Sequence, residues 1–339
     1  MARKFNEENE RIKRRYLHFL REAKRQDMAT VDKAMEAILR FERSTGFKPF
    51  KRFHIDQAVA FKNRLAQEKN ARTGAPLSKA TVDSTLRTVK AFVLWLAGQP
   101  GYKSRIAYAD AEYFNLNAKD ARIAHTAREP IFPTPEQCHH AFAQMPSATP
   151  LQRRDKALFA LLMLTGARDG AVASMKLRHI DLDQSCVYQD ARDMKIKFAK
   201  TFTTWFFPVE AVYHESFRDW VKYLREDALF GPTDALIPKP EMGLKDGSFA
   251  AVGLSRDNYS NAGKLRTVIR EAFIGAGLPA FSPHSFRKML GELANKHCKT
   301  PEQFKAWSMN LGHEDIATTW NSYLPVSQAR QGELIRGMV

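Results

Sequence analysis

A helical period in the apolar residues, repeated four times in the first hundred positions and interrupted each time by turn chemistry, restricts this chain most. Between Asn6 and Lys24 the apolar side chains fall at Ile12, Tyr16, Leu17, Phe19 and Leu20 among many charges, which places one greasy stripe on one face of a helix. A second helix is predicted behind Thr30 as its N-cap, with Val31, Met35, Ile38, Leu39 and Phe41 on its apolar face. A third spans about Ile55 to Gln67, with Val59, Phe61 and Leu65 inward, and ends before Gly74-Ala-Pro76. Ser78 caps a fourth, apolar at Val82, Leu86, Val89, Phe92, Val93 and Leu96 and stopped by Gly98-Gln-Pro100. Four such stripes are satisfied by packing on one another, so residues 1–120 are expected to form a helical domain.

Residues 121–134 carry Pro130 and Pro133 and read as an extended linker. Thr134-Pro135-Glu136 then opens a new helix, and residues 135–339 are mixed in character. They contain a buried helix at 151–165 with the longest apolar run, Ala157 to Leu164, a strand-rich stretch at about 184–209, and helices towards the end. Residues 230–262, rich in Gly, Pro and Ser, read as a long surface insertion. A chain of 339 residues with 44% hydrophobic content can fill two cores.

Charge narrows the partner. The net charge is +16, and residues 1–128 hold 27 Lys and Arg against 14 Asp and Glu, so an excess of 13 sits in that segment alone. Self-repulsion on that scale favours a polyanion as partner. Nucleic acid is the first candidate, because covering its phosphates releases condensed counterions; an anionic membrane surface and a merely solvated basic surface are the competitors. On the fourth helix, Lys79, Thr81, Ser84, Thr85, Arg87 and Lys90 lie away from the apolar stripe. Short hydroxyls with spaced cations and no acids suit a surface that enters a DNA groove; a solvated face is the plain alternative. No stretch approaches the roughly 20 apolar residues of a membrane span, and the N-terminus lacks a signal-peptide core. Three scattered cysteines, Cys138, Cys186 and Cys298, suit a reducing cytoplasm.

Four short motifs follow in order. They are Thr165-Gly-Ala-Arg168 at the end of the apolar helix, the strand–turn–strand segment Phe198-Ala-Lys200-Thr-Phe-Thr-Thr-Trp-Phe-Phe-Pro208, His284-Ser-Phe-Arg287, and Leu311-Gly-His313 with Tyr323 ten residues on. Each is weak alone. Together they supply two guanidiniums, two imidazoles, a lysine and a phenol, the parts needed to cleave a phosphodiester without a metal. Cys138-His139-His140 and His297-Cys298 lack the paired spacing of zinc ligands, so neither metal nor cofactor is expected.

The same residues are those of the tyrosine recombinase (phage integrase) family, which this sequence resembles across nearly its whole length. The resemblance implies a mainly α fold with a small β-sheet: a helical core-binding (SAM-like) domain at 1–120 that binds DNA, the linker, and a mixed α/β catalytic domain at 135–339 ending in a short tail. No separate arm-binding domain is expected ahead of these helices. By position, Arg168 is similar to the first family arginine, His284 and Arg287 to the His-x-x-Arg pair, and His313 to the Leu-Gly-His histidine. Lys200 lies eight residues before Pro208, the family spacing of the hairpin lysine, while Lys195 and Lys197 remain alternatives for that role. Tyr323 corresponds to the nucleophile, with a gap of ten residues after His313 where the family usually has nine. Many members carry an acid three residues after the first arginine; Ala171 stands there, with Asp169 the nearest substitute.

What the resemblance implies is a site-specific recombinase that cleaves and rejoins strands through a 3′-phosphotyrosyl intermediate and a Holliday junction. Its partners would be a double-stranded DNA recombination site, three further copies in a tetramer on two sites, and accessory directionality or DNA-bending proteins, in the bacterial cytoplasm at the nucleoid and with no membrane. A type IB topoisomerase and a non-catalytic DNA-binding regulator are the alternatives.

Overall fold

The computed structural model describes residues 5–71, 73–126, 131–196, 200–245 and 247–313, and the chain divides into two compact units, Met1–Ala127 and Arg128–Val339. Tyr323 and Lys197 therefore lie outside the described residues.

In the first unit, α1 (Glu7–His18) starts at Asn6, whose side chain accepts the Asn9 N–H, and its first turn carries Glu7, Glu8 and Glu10. Acids there complement the positive end of the helix dipole. The backbone runs on as a π-helical turn, Phe19–Ala23. Helix α2 (Met28–Ser44) begins one turn earlier than the sequence suggests. Asp27 is its cap and Thr30 is not, because the Asp27 carboxylate accepts the Thr30 N–H at 2.8 Å.

Helix α3 (Ile55–Gln67) follows His54 and buries Ala58, Phe61 and Leu65. Val59, expected inward, is 36% exposed. A single residue turns the helix by about 100°, so Ala58 takes the inward place and Val59 the rim. Helix α4 (Lys79–Ala97) has Ser78 as its cap and buries all six expected apolar residues. Helix α5 (Ala118–His125), capped by Asn117, occupies what the prolines downstream suggested was the start of an extended linker. A good N-cap and five residues of helix-favouring Ala-Lys-Asp-Ala-Arg outweigh breakers that stand too far away to act.

The core of this unit is aromatic. The Phe41 ring meets Phe61 at 5.3 Å and Phe114 at 5.4 Å edge-on, and Phe92 meets Phe50 and Tyr16 at 5.1 Å. Each ring removed from water stabilises the fold by about 1.5–3 kcal/mol.

A pair of charged groups lies within this core. Lys13 and Glu42 are both fully buried and paired at 2.5 Å. Asn9 donates to Glu42 at 2.8 Å and to the Lys48 carbonyl at 3.0 Å, and accepts the Phe50 N–H at 2.8 Å. The network ties α1, α2 and the following loop. Lys13→Met should therefore lower the stability of this unit by about 3–5 kcal/mol, since it strands a buried carboxylate. Adding Glu42→Leu should restore much of that loss. Urea unfolding of the full chain would read both, and a single variant as stable as wild type would dismiss the network.

The second unit is built around α7 (Pro150–Thr165), buried continuously from Ala157 to Thr165. Helices α6 (Pro135–Gln144), α9 (Ala211–Lys222), α10 (Gly263–Gly275) and α11 (Pro283–His297) pack on it. A small antiparallel sheet, in the order β1 (Ile180–Asp181), β2 (Cys186–Gln189), β3 (Phe202–Trp205), lies beside them with Val187 opposite Thr204. The short α8 (Asp169–Val172) and α12 (Pro301–Asn310) complete the part that matters for the site.

The segment 230–262 is only partly the surface insertion its composition suggests. Ala235, Leu236 and Ile237 are buried in the core, the Trp220 indole donates to the Leu236 carbonyl at 2.9 Å, and buried Arg154 donates to the Pro238 carbonyl at 3.0 Å. Three apolar residues among Gly and Pro are enough to anchor the segment. Beyond them, β4 (Pro240–Lys245) and β5 (Ser248–Leu254) form an antiparallel hairpin with Leu244 and Phe249 paired and largely exposed.

Candidate active site

Arg168 is placed by the way α7 ends. Gly166 adopts φ +55°, and a Cβ there would come within 3.0 Å of side-chain carbons of Leu290 and Leu311. Both the left-handed turn and the contact demand glycine. The chain then reverses, and Arg168 becomes the residue before α8, half-buried. Among the described residues its guanidinium takes no hydrogen bond. Asp169, the expected substitute for the missing acid at Ala171, does not serve Arg168: its carboxylate accepts the Arg266 Nε–H at 2.5 Å and the Gly170 N–H at 2.8 Å. A guanidinium from α10 outcompetes a neighbour on the same turn.

His284 and Arg287 are one helical turn apart on α11, behind Pro283 at its first position. His284 is exposed and Arg287 is 3% exposed. Arg287 donates to the Gly166 carbonyl at 2.5 Å, to the Leu311 carbonyl at 2.6 Å and to His313 Nε2 at 3.2 Å. It thus binds the arginine turn to the Leu-Gly-His turn. His313, itself buried, follows Gly312 at φ +72°. Because Nε2 accepts from a guanidinium, the ring is neutral and carries its proton on Nδ1.

Burial pulls the His313 pKa down to about 4, reinforced by Arg287, Arg168, His284 and Lys200. His284 is also lowered: although its side chain reaches solvent, the protein around it removes part of its hydration, and Arg287, Lys288 and Arg168 add to the effect. These causes put Arg168, Arg287, His284 and Lys200 within electrostatic reach of His313, and Arg168 and Arg287 within reach of His284. The imidazoles register the field: both are held towards the neutral form in a positive environment.

A stability consequence follows from the sign of the shift. Between pH 6.5 and 4 the unfolded chain binds a proton at His313 that the folded chain does not, so stability falls as pH drops through that window. The loss is about 3 kcal/mol from this residue. His313→Asn should flatten the pH dependence of the denaturant midpoint over that range; an unchanged slope would contradict it.

Lys200 and Lys195 are separated by what they touch. Lys195 donates from Nζ to the Ser260 carbonyl at 2.7 Å, while its backbone N–H donates to Ser174 Oγ at 2.8 Å. Lys200, just before β3, is the one of these two whose charge acts on His313. The loop between β2 and β3 is pinned by Asp193, which accepts from Lys176 at 2.5 Å, Arg178 at 2.5 Å and His179 at 2.7 Å. These three donors hold the Asp193 carboxyl well below the usual range, Lys176 first.

The expected face of α4 is solvent-directed at Thr81, Ser84 and Arg87, but it is not free of acids. Lys79 pairs with Asp120 at 3.0 Å, Arg87 with Asp83 at 3.5 Å and Lys90 with Glu112 at 2.8 Å. Two of those acids come from segments after α4, where helix periodicity gives no warning. A groove of ≈ 420 Å³ beside this face is lined by Lys33, Glu36 and Arg40 of α2 and, among others, by Thr81, Ser84 and Thr88 of α4. Lys33 and Arg40 carried no sequence signal.

Among the described residues no group of three His, Cys, Asp or Glu converges as a metal site, and no helix is long and apolar enough to cross a membrane. His139 pairs with Glu210 while the adjacent His140 turns to the Ala276 carbonyl.

The phage integrase family model matches residues 134–330, more than half of the chain. The chain belongs to that family, the tyrosine-type DNA strand transferases. No curated protein sequence matches it. In fold it is similar to a lambda integrase(75-356) dimer bound to a COC′ core site, at TM-score 0.63 and 15% identity, over 93% of this chain and 95% of that one. It is also similar to the Tn1549 transposon integrase in complex with transposon right end DNA, at TM-score 0.59 and 15% identity, over 97% and 99% of the two chains.

Proposed function

We propose that the protein is a site-specific DNA recombinase that cleaves and rejoins strands through a 3′-phosphotyrosyl intermediate, with Tyr323 as nucleophile. The observation that carries this reading is Arg287: it joins the turn that presents Arg168 to the turn that presents His313, inside the positive field that depresses both histidines.

The chemistry needs such a field. A phenol of pKa about 10 is roughly 0.1% ionised at pH 7, a deficit of about 4 kcal/mol for making the nucleophile. Arg168 and Arg287 stabilise both the phenolate and the extra charge of the pentavalent phosphorus. His284, neutral at this pH, takes the phenolic proton, and His313, with its proton on Nδ1, donates to the phosphate. The Tyr323 oxygen bonds to phosphorus, the bond to the 5′-oxygen breaks, and Lys200 gives that oxygen its proton. The reverse reaction with another strand's 5′-hydroxyl rejoins DNA with no energy source, since the ester conserves the bond. Four protomers on two DNA sites would exchange strands in two steps through a Holliday junction, with accessory proteins setting direction.

The first unit is assigned to holding the duplex. The groove between α2 and α4 presents hydroxyls and two cations beside the one acid Glu36, and partly exposed pairs on the neighbouring face, such as Lys79 with Asp120, are worth only about 0–1 kcal/mol. Phosphate can therefore take those cations from their acids. The test of the whole reading is covalent capture: the protein, mixed with nicked duplexes of randomised sequence, should form an SDS-resistant adduct and enrich one site. Binding without any adduct would leave a regulator in place of an enzyme.

A further inference from the structure

We propose that Asn310 is a positioning residue that holds the strand leading from Lys200 in register with the turn carrying His313, and so aims the acid at the leaving oxygen. The proposal rests on the reading of Lys200 as that acid.

Strand β3 is the last strand of its sheet among the described residues, and no described strand lies along its outer edge. An edge of this kind leaves backbone N–H and C=O groups that need partners. The Asn310 side chain supplies both. Its Oδ1 accepts the Trp205 N–H at 2.7 Å, and its Nδ2 donates to the Trp205 carbonyl at 2.8 Å. One primary amide thus reproduces the paired bonds that a residue of an antiparallel strand would make.

The backbone of Asn310 joins in. Its carbonyl accepts the Thr204 hydroxyl at 3.2 Å, and that hydroxyl accepts from Gln189 of β2 at 2.8 Å. Two residues further on, Gly312 lies against the Phe202 ring so closely that a Cβ there would stand 2.6 Å from a ring carbon. Residues 310–312 therefore grip β3 at both ends, at Trp205 and at Phe202. Lys200 is two residues before Phe202, and His313 is the residue after Gly312. A shift of the strand along the turn would break both amide bonds and drive the Phe202 ring into the Gly312 backbone.

Only an amide side chain presents a donor and an acceptor at this spacing. Asp at 310 would keep the acceptor and set an oxygen against the Trp205 carbonyl; Ala would remove both. The rival reading is a helix-end contact that supports α12 and nothing else, which would cost stability without touching proton transfer.

The leaving group separates the two. With a natural phosphodiester the 5′-oxygen departs with a proton from the acid. With sulfur at that bridging position the P–S bond breaks and a thiolate departs unprotonated, since a thiol has a pKa of about 8.5. Full-length wild type, Lys200→Ala, Asn310→Ala and Asn310→Asp would be compared in single-turnover cleavage of one nicked duplex. That duplex is the sequence the wild type captures covalently, made in oxygen and in sulfur form.

Lys200→Ala should be slowed by about 10²-fold or more on oxygen and recover on sulfur. Asn310→Ala should be slowed by about 10–100-fold on oxygen, the scale of a displacement of about 1 Å, and should also recover on sulfur, with Asn310→Asp slowed at least as much on oxygen and recovering likewise. Recovery of both establishes Asn310 as a positioning residue for the acid. Recovery of Lys200→Ala alone, with Asn310→Ala unaffected or equally slow on both substrates, overturns the proposal and leaves the acid assignment standing. No recovery of Lys200→Ala removes the acid assignment and the proposal together. If Asn310→Ala fails to fold, by its thermal midpoint, Asn310→Asp supplies the same comparison.

Discussion

Tyr323→Phe is expected to remove the covalent protein–DNA adduct while leaving DNA binding within a few-fold of wild type. The change deletes one oxygen, and that oxygen is the atom that bonds to phosphorus. Loss of a covalent nucleophile in other enzymes costs about 10⁶-fold in rate, far beyond what a lost contact explains. Three of the eight other tyrosines are poor substitutes on their surroundings alone. Burial pushes Tyr16 up to about 12 and raises Tyr213 further, so both hold their protons. Tyr188 is exposed, but it stands on β2 with its hydroxyl towards Asp181 and is raised as well, by Cys186 first. The adduct would be followed on denaturing gels after incubation with the nicked duplex, and peptide mapping would name the residue bearing the nucleotide. An adduct of wild-type yield in the Phe variant, or one mapped to another residue, would overturn the assignment of Tyr323.

The elements most legible in the sequence are those whose physics is local. Ser78 as a cap, the apolar stripe of α4 and the buried run of α7 each depend on residues within a few positions of one another, and all three appear in the structure as read. The end of the apolar helix at Gly166, just before Arg168, was legible for the same reason, and the structure turns left-handed there and at Gly312. What local patterns hid is what distant segments do. Asp169 looks like a partner for Arg168 until α10 brings Arg266 to it. The cations of α4 look unopposed until Asp120 and Glu112 arrive from further along the chain. Val59 and Ala58 differ by one residue of helix phase, which spacing alone resolves poorly when both are apolar. Asn310 had no signature at all, because an amide that completes a strand edge is defined only by the strand it meets.

The two arginines should separate when stability and catalysis are measured side by side. Both variants to Ala are expected to lose about 10²–10³ in cleavage rate, the usual cost of a preorganised donor at developing charge. Their effects on folding should differ. Arg168 is half-buried and takes no hydrogen bond among the described residues, so Arg168→Ala should stay within about 0.5 kcal/mol of wild-type stability. Arg287 is buried and holds the carbonyls of Gly166 and Leu311. Arg287→Ala leaves both acceptors without that donor, at about 1–3 kcal/mol each, and a loss of about 3–5 kcal/mol is expected in total. Arg287→Lys tests the geometry: it keeps the charge but cannot span two carbonyls and an imidazole from one planar fork, so most of the stability loss should persist. If the two guanidiniums act on one phosphate, the double Ala variant should lose less rate than the product of the single losses, because the second removal acts on a site already broken. Rates that multiply would place the arginines on separate tasks. An Arg287→Ala protein as stable as wild type would mean that the bridge between the two turns does not hold the site together, and the case for a shared phosphate site would go with it.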